Sequence, residues 1–206
     1  MDECRFCARL SSTAIEQTAL LESDDFVAWP SLGALVEGWI LVLPKAHCLS
    51  VRDLDAAGFT RFRSFLAHAA RAVEATYGPV AIVEHGPLGF GSPAGCSVDH
   101  AHAHVIPWET PLRDRLTRLC PAIEWRVVAD VAAFAGATDP SAPYLLLSSP
   151  TDGTLVGVAE RLPSQLIRRA IAADLDEPER FDWRTHPRLD MVRATVDSLQ
   201  TMELLV

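Results

Sequence analysis

His100-Ala101-His102-Ala103-His104-Val105-Ile106-Pro107 sets three imidazoles at a period of two, the spacing that puts alternate side chains on one face of a β-strand. Same-face residues on a strand lie roughly 6.6–6.8 Å apart, so the three rings can meet successive groups of an extended ligand. Ala101, Ala103 and Val105 are then left to pack the opposite face. A neutral imidazole is a competent nucleophile near neutral pH and can carry a transferable group as a covalent intermediate. The middle ring, His102, has imidazole neighbours on both sides: one can fix structure or metal while the other stabilises developing charge. A hydrolase, a nucleotidyl transferase and a site that only binds metal all fit this spacing.

Working outward, Cys4-x-x-Cys7 supplies two soft ligands at zinc spacing, and His47 with one strand histidine would complete a tetrahedral set of four. A Cys-x-x-Cys pair can also be a redox couple, but such a couple normally follows a strand and opens a helix, whereas this one stands at the start of the chain. Residues 86–95 contain four glycines and two prolines, so a loop enters the histidine segment directly. Such a loop can offer backbone N–H groups to phosphate, or it can be a plain turn.

The pattern of apolar residues predicts strands over 26–29 and 38–43, a helix over 53–77 capped by Asp53, and strands over 80–84 and 100–106. After Pro111 it predicts a helix to Leu119, strands over 125–128, 144–148 and 155–158, and helices over 163–175 and 187–199. A hairpin turn is expected at Thr151-Asp152-Gly153. The expected division is a catalytic region over 1–110 and a C-terminal extension over 111–206 that packs on it. Gln165, Arg168 and Arg169 fall at i, i+3 and i+4 of the extension's helix, a face that can clamp distal phosphates or simply be solvated. Cys48 and Cys120 read as small packing residues.

Eighteen basic against twenty-seven acidic residues leave a net charge of −9, which opposes nonspecific attraction to nucleic acid or anionic lipid. A local cationic pocket for a small anion is still compatible with that balance. No apolar run reaches the length of a membrane span, and no basic start followed by an apolar stretch opens the chain, so a cytoplasmic location without membrane contact is expected. Five cysteines, an odd count, argue against a disulfide framework.

The sequence resembles the histidine-triad (HIT) superfamily of nucleotide hydrolases and transferases, whose pattern is His-x-His-x-His followed by two apolar residues. Gly38-Trp39-Ile40-Leu41-Val42-Leu43-Pro44-Lys45-x-His47 is similar to the family's apolar run with Pro-Lys-x-His, and Ala94-Gly95-Cys96-Ser97-Val98-Asp99-His100 to its Ala-Gly-Gln-x-Val-x-His entry. The resemblance covers about residues 4–107. It implies an α+β, HIT-like fold, an antiparallel sheet with flanking helices, here joined to a C-terminal α/β extension. It implies that His102 attacks the α-phosphorus of a nucleotide, with His104 and Ser97 at positions that contact the α-phosphate. It also implies a structural zinc on Cys4, Cys7, His47 and His100, in agreement with the count of ligands made from spacing alone.

The sequence departs from the family at Cys96, which replaces the glutamine before the motif, and in Glu84-His85-Gly86, where an asparagine often stands. Cys96 and His85 are therefore candidates for contacts to nucleotide. The substrate implied is a nucleotide conjugate: a dinucleoside polyphosphate, a phosphoramidate or a nucleotide sugar. The alternatives are transfer of the nucleotidyl group to phosphate or a sugar phosphate, and a noncatalytic nucleotide-binding zinc protein. Homodimers are frequent in the family, and a homodimer is an allowed assembly here.

Overall fold

The computed structural model describes residues 4–10, 14–15, 18–91 and 98–199. A one-turn helix, α1 (Arg5–Arg9), precedes three strands, β1 (Leu21–Glu22), β2 (Phe26–Pro30) and β3 (Ile40–Pro44). The long helix α2 (Ala56–Tyr77) leads to β4 (Val80–Gly86), and β5 (Ala103–Pro107) follows the loop. The second half holds α3 (Arg113–Leu119), β6 (Glu124–Val127), α4 (Phe134–Ala137), β7 (Tyr144–Ser149), β8 (Gly153–Val158), α5 (Leu166–Asp174) and α6 (Leu189–Leu199).

All neighbouring strands pair antiparallel in one eight-stranded sheet of order β1-β2-β3-β5-β4-β7-β8-β6. The fold is α+β and HIT-like. The second half adds its strands to the edge of β4, where β7 pairs from Ile82↔Ser148 to Gly86↔Tyr144, so both halves share one sheet. One face packs on α2, which turns Phe62, Leu66, Ala69 and Val73 towards Ala103, Val105, Leu146 and Val156. Burying a Phe or Leu in such a layer contributes about 1.5–3 kcal/mol. The other face, with Val83, Leu145 and Leu147, is covered by α3 and α5. Ala101, Ala103 and Val105 lie in the α2 layer, as alternation requires. Among the described residues no helix is long and apolar enough to cross a membrane.

Two expectations are corrected locally. The strand expected over 100–106 begins only at Ala103, so His104 alone of the three histidines stands in a ladder. Its partner strand runs out at Pro44, which has no N–H to donate, and the Pro44 carbonyl is taken by His100 Nε2 at 2.8 Å. Ala101 N–H donates instead to Cys48 O at 2.7 Å. The cap of α2 is Asp55, whose carboxylate accepts from Gly58 N–H at 2.6 Å. Asp53 closes the preceding 3₁₀ turn, Val51–Asp53, by accepting from Ser50 N–H at 3.0 Å. Cys120 is buried and Cys48 half-buried, where burial, then Asp53 and Glu84, push its thiol up to about 12.

Glu84 is fully buried in β4 and accepts from Val51 N–H at 3.1 Å. Burial raises its carboxyl from the ordinary 4.5 to about 7. The folded chain therefore holds this proton more tightly than the unfolded chain. The resulting stability is full below the unfolded value and is lost as pH rises through the folded one, roughly 3 kcal/mol in all. Glu84→Gln, neutral throughout, is expected to melt higher than the wild type at about pH 8 and to lose most of that advantage at about pH 5. Parallel melting curves for the two proteins across this range would refute it.

Candidate active site

Cys4 stands at the cap of α1 and Cys7 one turn along it, so both sulfurs leave the helix on the same side. Cys4 Sγ and Cys7 Sγ approach His100 Nδ1 at 3.4 and 3.5 Å, and Cys7 Sγ lies 3.4 Å from His47 Nδ1. The four donor atoms all fall within 4.8 Å of one another and could hold one metal ion. The other nitrogen of His100, donating to Pro44 O, fixes the ring so that Nδ1 faces the sulfurs. His47 is exposed and stacked by Phe90 at 5.8 Å between ring centres.

Fixing His100 also fixes His102. Its Nδ1 lies 2.8 Å from the His100 carbonyl, an atom that only accepts, so Nδ1 carries the proton and Nε2 keeps a lone pair. Burial, partly offset by that hydrogen bond, pushes the ring down to about 4, which leaves it neutral at physiological pH. His104 has the opposite tautomer. Trp39 Nε1, which only donates, points at His104 Nδ1 at 3.0 Å, so the proton resides on Nε2. Burial holds His104 well below its ordinary value as well. The two rings meet edge to face with centres 5.0 Å apart. A lone pair and an N–H thus stand side by side, the first able to attack an electrophile and the second able to bond an oxygen on it.

These rings line a cavity together with Phe6, Trp29, Leu41, Arg168 and Trp183, and with Arg5 and Arg9 of α1. Phe6 lies 5.3 Å from His102 and 5.7 Å from both His100 and Trp29, so α1 covers the histidines directly. His85 is buried one residue beyond the Glu84↔Ala103 pair, and neither of its ring nitrogens has a hydrogen-bond partner among the described residues. Burial, then His102, push it down to about 3.

The face expected from Gln165, Arg168 and Arg169 is not formed. Gln165 precedes α5 in the left-handed region, with φ +57°, so it lies outside the helical spacing. It donates to Asp182 Oδ1 at 3.2 Å and accepts from Trp183 N–H. Arg168 turns inward and reaches the cavity. It donates to Gly33 O at 2.5 Å, Ser31 Oγ at 2.7 Å and Leu32 O at 2.9 Å, with its guanidinium 4.7 Å over Trp39. Arg169 turns outward over Phe181 at 3.7 Å. Cys96 and Ser97 lie outside the described residues.

Arg5, Phe6, Arg9, Trp29, Trp39 and Trp183 are the lining or supporting residues that the sequence reading missed. Only Arg5 and Arg9 carried a usable signal, their i, i+4 spacing across the Cys-x-x-Cys pair. Trp183 reaches the cavity because Gly33, at φ +69°, lets the chain pass close: a Cβ there would stand 2.5 Å from Trp183 Cβ.

Residues 12–110 match the HIT domain. The match to the HIT model spans β1 to β5, including His47 and all three histidines of the motif, whereas Cys4 and Cys7 precede it and α3 to α6 follow it. A HIT family member from Bacillus subtilis is 21% identical over 55% of this chain and 86% of its own, with a TM-score of 0.44. A HIT family hydrolase from Clostridium thermocellum is 20% identical over 54% of this chain and 96% of its own, at 0.43. The yeast Ap4A phosphorylase Apa2, solved with AMP, is 10% identical over 86% of this chain and 78% of its own, at 0.42. No curated protein sequence matches the chain.

Proposed function

We propose that this protein cleaves a nucleoside phosphate conjugate at its α-phosphate, as a hydrolase or phosphorylase, through a nucleotidyl intermediate on His102. The observation that carries the reading is the opposed tautomers of His102 and His104 at 5.0 Å. The His102 Nε2 lone pair forms a bond to the α-phosphorus as the bond to the bridging atom of the leaving group breaks. His104 Nε2–H donates to a nonbridging oxygen and stabilises the charge that grows there. Water then attacks the phosphorus, the P–N bond breaks, and a nucleoside monophosphate departs. With inorganic phosphate or a sugar phosphate as acceptor, the same intermediate gives phosphorolysis or nucleotidyl transfer. His85, Ser97 and Cys96 are the candidates for holding the nucleotide around this centre, whereas Arg168, its donors held by Ser31, Leu32 and Gly33, walls the cavity and Gln165 holds Trp183 beside it.

Two thiolates and two imidazoles suit zinc. Zn–S and Zn–N bonds of ordinary length at tetrahedral angles place sulfur and nitrogen roughly 3.5 Å apart, and the sulfur–nitrogen separations are 3.4 to 3.5 Å. Cys4, Cys7, His47 and His100 would hold this ion. With all four positions filled by protein it supplies structural cross-linking rather than an activated water. Action on small nucleotides, rather than nucleic acid, accords with the negative charge of the chain.

Product analysis tests the reading. The protein is incubated with adenylyl, guanylyl and uridylyl conjugates, with and without inorganic phosphate. Release of mononucleotide is expected, with radiolabelled inorganic phosphate entering nucleoside diphosphate only when phosphate serves as acceptor. Failure to turn over any conjugate, together with failure to acquire acid-labile nucleotide, would overturn it.

A further inference from the structure

We propose that Arg5 and Arg9 form a subsite for a phosphate-bearing leaving group, an inference that rests on the α-phosphate reading of His102. The two residues stand at i and i+4 on α1 and flank Phe6, the ring that packs 5.3 Å from His102. Both line the cavity that contains His102 and His104. Anything bonded to phosphorus at His102 and extending along α1 therefore meets two guanidinium groups.

Charge supports the same assignment. The chain carries a net −9, yet the described lining of this cavity holds three arginines and no carboxylate. Arg5 and Arg9 form no ion pair among the described residues; Arg5 lies 5.7 Å over the Trp183 ring. The third, Arg168, spends its donors on the chain at Ser31, Leu32 and Gly33, so it shapes the wall. Uncompensated guanidinium groups bind phosphate by paired, charge-assisted hydrogen bonds. A five-residue helix is too short to hold its shape unaided. Cys4 and Cys7, seated against His100 and His47, fix α1 and so fix both arginines relative to the nucleophile.

The chemistry of departure agrees. As His102 Nε2 bonds to the α-phosphorus, the bridging oxygen takes the electron pair of the breaking P–O bond. A phosphate leaving group then departs as an anion and needs no proton, only cations to receive it. An amine leaving group must gain a proton as it departs, and the guanidinium groups of Arg5 and Arg9, which stay protonated, cannot release one. The subsite therefore favours substrates with two or more phosphates beyond the attacked one over nucleoside phosphoramidates.

Calorimetric titration of the wild type and of Arg5→Gln/Arg9→Gln is the test, using AMP and GMP beside their α,β-methylene triphosphates, which resist cleavage at the attacked bond. The wild type is expected to bind the triphosphate analogue at least about 10-fold tighter than the monophosphate. The double variant is expected to lose about 10- to 100-fold for the analogue while monophosphate affinity changes less than about 3-fold, and Arg5→Lys/Arg9→Lys is expected to recover part of the loss. Equal wild-type affinity for the two ligands, or equal weakening of both in the Gln variant, overturns the subsite and leaves the α-phosphate reading standing. If neither ligand binds, both readings fall.

Discussion

His102→Asn is expected to lower turnover of any accepted conjugate by at least about 1000-fold, because it removes the one nitrogen able to form a bond to phosphorus. The substitution is chosen for what it keeps. The asparagine amide can still donate to the His100 carbonyl, the bond that His102 Nδ1 makes at 2.8 Å. Trp39 and His104 are untouched, so the His104 Nε2–H persists. The ring is buried against Phe6, so its loss leaves a small void, with a cost of about 1–2 kcal/mol. Initial rates, a melting curve and alkali-quenched labelling with a radioactive nucleotide check the result together. Retained turnover, or nucleotide still trapped on the Asn protein, would place the nucleophile elsewhere.

Metal analysis of the native protein is expected to give one zinc per chain, and Cys4→Ser to lose that ion along with roughly 5–15 °C of melting temperature. The loss should exceed that of an ordinary exposed thiol because the four donors join three distant parts of the chain: α1, the end of β3, and the segment entering β5. Without the ion, two cysteines and two histidines confront one another with only sulfur–nitrogen contacts to hold them. Turnover should fall too, since His100 carries the carbonyl that sets the His102 tautomer, and α1 carries Phe6 over the rings. A native protein without stoichiometric metal, whose melting is indifferent to Cys4→Ser, would reduce the cluster to a packing feature.

The elements of this fold were legible wherever periodicity is a local property. The strands near 26–30, 80–86 and 144–149, the long helix ending before Gly78, and the hairpin at Asp152-Gly153 all follow from patterns within a few residues. The histidine segment was misread at its start because strand length depends on the partner. Pro44 ends the ladder, and that residue lies 56 positions from His100. The arginines were misread for a related reason. Spacing fixes which residues share a helix face only inside the helix, and Gln165 stands outside it. Nor does spacing say which way a face points, and α5 turns Arg168 towards Ser31 while Arg169 meets Phe181.

By itself the sequence determined the inventory of chemistry: three histidines at a period of two, a Cys-x-x-Cys pair, a histidine after Pro44-Lys45, and a negative net charge. Those follow from residue identity and local spacing, which no folding is needed to read. Only the tertiary structure decided the state of that chemistry. The tautomers of His102 and His104 are set by a carbonyl and an indole brought to them. The cationic wall exists because α1 folds back over the sheet, and the second half of the chain reaches the site because β7 pairs with β4. Proton positions and cavity walls depend on atoms many residues apart in sequence, and only the folded chain brings those atoms within hydrogen-bond reach.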